Sequence, residues 1–169
     1  MSLRVVEPKP PREELPSRNL ASPTDTGEPN MGLIHIDLEL INGIDLALSR
    51  LGKLAEDEVR RLKVSALVDS GATMLAINDN IRNQLGLLKV DERGAELADG
   101  SLATYDVVGP IEIRIPHRRC SVDAMVLPGD SEVLLGAIPM EDMDLIINPK
   151  AQTIQVDPSM PYVSRKSLK

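Results

Sequence analysis

Period-two alternation of apolar and polar residues, repeated along most of the chain, narrows most what this polypeptide can fold into. From Gly32 to Ile41, Ile34, Ile36, Leu38 and Leu40 share one face of an extended segment, and His35, Asp37 and Glu39 share the other. His35 is therefore expected to be an exposed strand residue. The pattern returns at 62–68, where Leu62, Val64, Ala66 and Val68 alternate with Lys63, Ser65 and Leu67. It recurs at Ile111, Ile113 and Ile115 around Glu112 and Arg114, and again at Cys120, Val122, Ala124 and Val126. Turn signals separate these runs: Asn42-Gly43, Pro116 to Arg118, and Pro128-Gly129-Asp130. Val133-Leu134-Leu135-Gly136 reads as a short buried strand. Leu145-Ile146-Ile147 and Thr153-Ile154-Gln155-Val156, on either side of Asn148-Pro149-Lys150, read as a closing hairpin. Helical spacing is confined to short pieces. Ile77, Ile81 and Leu85 recur before Gly86, and a second short helix is expected from Ile138 to Leu145. Residues 44–60 are ambiguous, with Ala55 to Arg61 compatible with one or two helical turns. The sum is an all-β fold with one or two short helices, closed or nearly closed.

The composition fits this picture and excludes several functions. A chain of 169 residues suits one domain plus a tail. With no Phe and no Trp, the core must be filled by Leu, Ile, Val and Met, and stacking platforms for single-stranded nucleic acid are missing. A net charge of −7 argues against a nucleic-acid partner. Cys120 is the one cysteine, so an intrachain disulfide is impossible, and its place in an alternating run marks it as a small buried residue. One Cys and two His leave little material for a metal site, and no cofactor is expected. No apolar run approaches the ~18 residues needed to span a bilayer, and no apolar leader is visible; a soluble, cytoplasmic protein without a membrane partner is expected. Residues 1–30 hold six of the 13 prolines and no sustained periodicity, which marks a loosely attached tail. The organised domain is expected over 31–158, with a C-terminal tail at 159–169.

Three motifs carry chemistry. The strand at 62–68 runs into Asp69-Ser70-Gly71-Ala72-Thr73. A carboxylate at the end of a strand is held by a rigid element, and a glycine two residues on permits close approach. Alone, Asp-Ser-Gly reads first as a simple turn after a strand, and it is the two further motifs that reverse this. Asp25-Thr26-Gly27 looks similar, but it lies between Pro23 and Pro29 with no strand before it to hold its geometry. The second motif is Asp99-Gly100 between two short extended runs, Ala95 to Ala98 and Ser101 to Tyr105, a hairpin signal. The third is Leu134-Leu135-Gly136 ahead of a short helix.

In this order and spacing the motifs resemble the retropepsin-like aspartic proteases, the single-lobe family that includes the retroviral enzymes, and within it the bacterial relatives. The resemblance spans about residues 31–158. It implies a single-lobe closed β-barrel that acts as a homodimer on peptide or protein substrates. It also implies roles. Asp69 would be the catalytic carboxylate, and Ser70 would bond across the dimer axis. Gly71 would approach the substrate backbone, with Ala72 and Thr73 completing the loop. Leu97, Ala98, Asp99, Gly100 and Ser101 would form a flap over the substrate. Leu134, Leu135 and Gly136 would pack beneath the loop and shape a pocket. The flap tip carries one glycine where retroviral flaps carry several, and the 42–60 connection has no counterpart in the minimal retroviral pattern.

Peptide hydrolysis by this route takes two carboxyl groups, one a general base toward water and one a proton donor to the scissile carbonyl. Only one credible strand-bound Asp motif is present, so an active enzyme requires a twofold dimer pairing Asp69 with its mate. Two other readings stay open: a catalytically silent member of the same fold serving dimerisation or peptide binding, and a small β-barrel adaptor unrelated to proteases.

Overall fold

A computed structural model describes residues 33–168. The stretch read as an N-terminal tail, with Asp25, lies outside the described residues. Nine strands and three short α-helices follow one another: β1 His35–Asn42, α1 Gly43–Arg50, β2 Arg61–Val68, β3 Leu75–Asn78, α2 Asp79–Leu85, β4 Leu88–Glu96, β5 Leu102–Ile115, β6 Arg118–Leu127, β7 Leu134–Leu135, α3 Ala137–Asp142, β8 Leu145–Asn148 and β9 Thr153–Val156. A single 3-10 turn, Glu56–Glu58, sits between α1 and β2.

Seven strands form one sheet in the order β1-β2-β7-β3-β6-β5-β4, and β1 also pairs with β5. The pairings β1–β2–β7–β3–β6–β5–β1 therefore close a circuit of six strands, and β4 hangs outside it on β5. This bears out the closed, mostly β expectation. The fourteen-residue β5 makes closure possible by changing neighbours along its length. Leu102–Gly109 pairs with β4, while Ile111–Arg114 pairs with β1. The switch falls at Gly109-Pro110, where proline has no N–H to offer a ladder. β8 and β9 form a separate two-stranded sheet, the expected closing hairpin.

Inside the circuit, Leu38, Leu40, Ala66, Leu75, Ile77, Ile111, Ile113, Cys120, Ala124 and Leu135 form one continuous core with α2 and α3 residues. The alternating faces read from the sequence point as expected: Ile34, Leu38, Leu40 and Ala66 are buried, and His35, Lys63 and Ser65 are exposed. Cys120 is buried, and burial pushes its thiol up to about 12, away from thiolate chemistry.

The structure departs from the sequence reading in five places. Three α-helices are present where one or two were expected. Asn42-Gly43 is not a plain turn: the Asn42 side chain accepts from the Ile44 and Asp45 N–H groups and caps α1. The Asn42 amide also donates to Leu85 O at 2.8 Å, tying the start of α1 to the end of α2. Within 55–61 only the 3-10 turn is helical, because Arg61 already belongs to β2. The helix assigned from Ile77 starts at Asp79, since Leu75–Asn78 is a strand between β7 and β6. Likewise Leu145 is a strand residue of β8, and α3 ends at Asp142.

Residues 159–168 have no regular secondary structure but are attached. Arg118 donates to the carbonyls of Met160 and Pro161, and Lys166 Nζ donates to Glu141 O and Asp142 O, each at 2.8 Å. Among the described residues no helix is long and apolar enough to cross a membrane.

Candidate active site

Strand β2 delivers Asp69. Ala66 and Val68 turn inward to the core, so Leu67 and Asp69 emerge on the opposite face. Neighbouring strands hold the end of β2 from both sides. Leu67 N–H donates to Val133 O at 2.8 Å, Val68 N–H to Ile34 O at 2.8 Å, and Asp69 N–H to Leu135 O at 3.1 Å. The turn then folds back on the acid. Gly71 N–H donates to Asp69 Oδ1 at 2.9 Å, and Ala72 N–H donates to Asp69 O at 3.1 Å. The carboxylate is thus aimed by a local bond, an arrangement typical of Asx turns.

The loop is locked a second time by the β7–α3 corner. Ala72 O accepts from Ala137 N–H at 2.8 Å, and Thr73 O accepts from Ile138 N–H at 3.0 Å. Gly136 lies so close that a Cβ there would sit 2.3 Å from Met74 O and 2.8 Å from Ala72 O. Its φ of −83° is open to any residue, so the glycine is there for space. The structure therefore brings together Asp69, Gly71, Ala72, Thr73, Leu135 and Gly136. Ser70 and Thr73 are exposed at the rim, and no side-chain hydrogen bond of either is present within the described chain.

Beside Asp69 the outer face of the sheet is apolar. Leu67 pairs with Leu134 across β2–β7, and Leu134 pairs with Ala76 across β7–β3. Paired residues point to the same face. Leu67 and Leu134 are half-buried and lie outside the interior clusters, whereas Ala76 at the far end of the row is buried. They form a row next to the acid. A shallow cavity of about 270 Å³ adjoins it, lined by Leu33, Ile34, Leu67, Val68, Asp69, Ser70 and Ile147. The larger hollow, about 710 Å³ along Asp37, Lys63 and Arg114, touches no residue of the 69–73 loop.

The expected flap is the tip of the β4–β5 hairpin. Leu97 and Ser101 are bonded backbone to backbone (Leu97 N–H to Ser101 O, 2.8 Å), and Gly100 has a φ of +81°, a value that favours glycine. Asp99 Oδ1 accepts from Ser101 N–H and Oγ, which holds its carboxyl below the usual range. The hairpin is longer than its sequence signal. Its β4 arm is exposed except at Ala95, so no burial alternation marks it. The arm stands on a charged base: Asp106 of β5 meets Lys89 of β4 at 2.8 Å and Arg82 of α2 at 3.0 Å. Arg93 of β4 reaches Met74, one residue past the loop.

Two residues here had no role in the sequence reading. His35, expected to be merely exposed, donates from Nε2 to Glu132 Oε1 at 2.5 Å across the strand that carries Leu67. The signal for such a pair is absent from the sequence, because the partners are 97 residues apart. Among the described residues, no cluster of three or more His, Cys, Asp or Glu could hold a metal ion, and no second carboxyl bonds to Asp69.

The model of the aspartyl protease family matches residues 56–138. Among curated proteins none matches the chain. Among solved structures, EIAV protease complexed with the inhibitor HBY-793 is similar, with 13% identity, a TM-score of 0.44, and coverage of 75% of this chain and 92% of that one. The family match runs from the 3-10 turn before β2 into α3, and so takes in the Asp69 loop, the Asp99 hairpin and the Leu134–Gly136 corner; over these residues the chain is similar to the aspartyl proteases, the resemblance its motifs carried.

Proposed function

We propose that this protein is an aspartic endopeptidase that works as a homodimer, with Asp69 of each copy forming one shared catalytic pair. The observation that carries the reading is the setting of Asp69. One carboxylate, at the end of a doubly clamped strand and aimed by Gly71 N–H, is presented at an open face beside an apolar row. A lone carboxylate cannot be general base and proton donor at once. A second Asp69, brought by a twofold axis, supplies the missing acid from an identical loop.

In this reading the ionised member of the pair takes a proton from water, which attacks the scissile carbonyl carbon. The protonated member donates to the carbonyl oxygen as the tetrahedral intermediate forms. Like charges at such short range cannot both ionise, so the pair holds a single proton. The Asp99–Gly100 tip closes over the peptide and excludes bulk water. Peptides or proteins are the substrates, and no metal or cofactor takes part. The cytoplasm is the proposed location.

The test is cleavage of a mixed peptide library at acidic and neutral pH by wild-type protein and by Asp69→Asn, with and without a pepstatin-type inhibitor. Inhibitable cleavage that disappears in Asp69→Asn is expected. A folded wild-type protein that cuts nothing across this pH range would favour the silent binding module instead.

A further inference from the structure

The apolar row beside Asp69 does not end in more apolar surface. Leu67 pairs with His35 on its β1 side, so the row reads His35, Leu67, Leu134, Ala76 across four strands. Glu132 approaches from the segment before β7 and meets His35 over Leu67. Leu67 N–H bonds to Val133 O, which places Glu132 directly alongside β2 at this level. The result is an apolar floor with an acidic rim. Both rim side chains are half exposed, 40% for His35 and 49% for Glu132. Among the described residues only Oε1 of Glu132 is engaged, and Oε2 has no protein partner.

We propose that Glu132, held in place by His35, sets the charge preference of the substrate subsite beside Asp69 and selects a Lys or Arg side chain there. The fit is one of shape and charge together. A long basic side chain can lay its methylenes on Leu67 and Leu134 while its charged head reaches a carboxylate at the edge. The His35 bond fixes Glu132 Oε1, so Oε2, without a protein partner, can take a ligand charge with little further ordering of the side chain. An acidic side chain in the same place meets a like charge, and a purely aliphatic one leaves Oε2 to water. Arg adds a second donor that a single free oxygen accepts less fully, so Lys and Arg are both admitted. In a twofold dimer the same subsite occurs on both sides of the scissile bond. The inference relies on the peptidase reading only for the position of that bond.

The probe is a mixture of decapeptides randomised in sequence. Full-length Asp69→Asn protein, immobilised, retains peptides without cutting them, and the retained set is sequenced by mass spectrometry. Wild-type protein digests the same mixture in parallel. Lys and Arg are expected to be enriched about three- to fivefold at one position of the retained peptides, the range of a half-exposed ion pair. The same enrichment is expected next to the cut in the digest. Adding Glu132→Gln should abolish the enrichment, and Glu132→Lys should transfer it to Asp and Glu, with melting temperatures unchanged. A basic preference that survives both substitutions, or no retention above bare resin, overturns the proposal. Charge-selective retention without wild-type cleavage upholds the subsite and defeats the peptidase reading. Cleavage with a charge preference indifferent to Glu132 does the reverse.

Discussion

Gly136 and Met74 touch through the backbone: a Cβ on Gly136 would stand 2.3 Å from the Met74 carbonyl oxygen. That closeness lets α3 begin directly against the Asp69 loop, with Ala137 and Ile138 donating to Ala72 and Thr73. Gly136→Ala should therefore push the loop off the corner. A stability loss of about 1–3 kcal/mol is expected from overpacking, measured by urea unfolding. Cleavage should fall by about two orders of magnitude, because small misplacement of an attacking geometry is costly. Full activity in the alanine variant would show that the corner does not position the acid.

Mixing wild-type and Asp69→Asn chains tests the shared pair. Asn preserves the side-chain shape, so folding and association should survive. If the chains exchange and pair at random, activity per total chain should fall as the square of the wild-type fraction, leaving about one quarter at equal amounts. A linear decline, with exchange verified by native mass spectrometry, would mean each chain carries a complete site.

Asp45 links stability to pH. It is buried, and the Arg60 guanidinium holds its carboxyl below the usual carboxylate range through bonds of 2.7 and 2.8 Å. A depressed folded value means the stabilisation is present above the unfolded value of about 3.9 and is lost as pH falls through the folded one. Asp45→Asn should cost about 1–2 kcal/mol at neutral pH, held to the low end because Arg60 is half exposed. The difference from wild type should shrink as pH falls below about 4. Denaturant melts at pH 7 and pH 3 check this.

Asp99 organises the hairpin tip through Ser101 and makes no other side-chain hydrogen bond among the described residues. Asp99→Ala should leave the melting temperature unchanged and lower kcat/KM for peptide substrates. Equal loss of melting temperature and activity would assign Asp99 to the fold instead.

Residues 1–30 hold six of the 13 prolines and show no sustained apolar periodicity. A protein starting at Met31 should therefore fold with the melting temperature of the full chain. A marked drop would mean that residues 1–30 pack on the domain.

The strands that alternate were legible because their periodicity is itself a consequence of having one wet and one dry face: β1, β2, the second half of β5, β6 and the β8–β9 hairpin all declared themselves this way. Asp69, Asp99 and Leu134–Gly136 were legible for a different reason, since turn chemistry and a glycine under close approach are local requirements. What escaped was set by contacts distant in sequence. Strand β4 is exposed on both faces apart from Ala95 and has no alternation to show. Strand β3 has Leu75, Ala76 and Ile77 all buried, which erases alternation and let Ile77 be counted with the helix behind it. Helix α1 takes its stability from the Asn42 cap, the Asp45–Arg60 pair and Leu46 packing with Ile41 and Val59, none of which its eight residues contain by themselves. Glu112 looked like an outward strand residue and is buried beneath Arg114, Arg119 and Arg50, brought from three elements. The sequence by itself determined that an acid would stand at the end of a strand in a closed β domain. Only the tertiary structure decided what stands around it, because the pairing of β2 with β1 on one side and with the β7 segment on the other is what carries His35 and Glu132 to the two sides of Leu67.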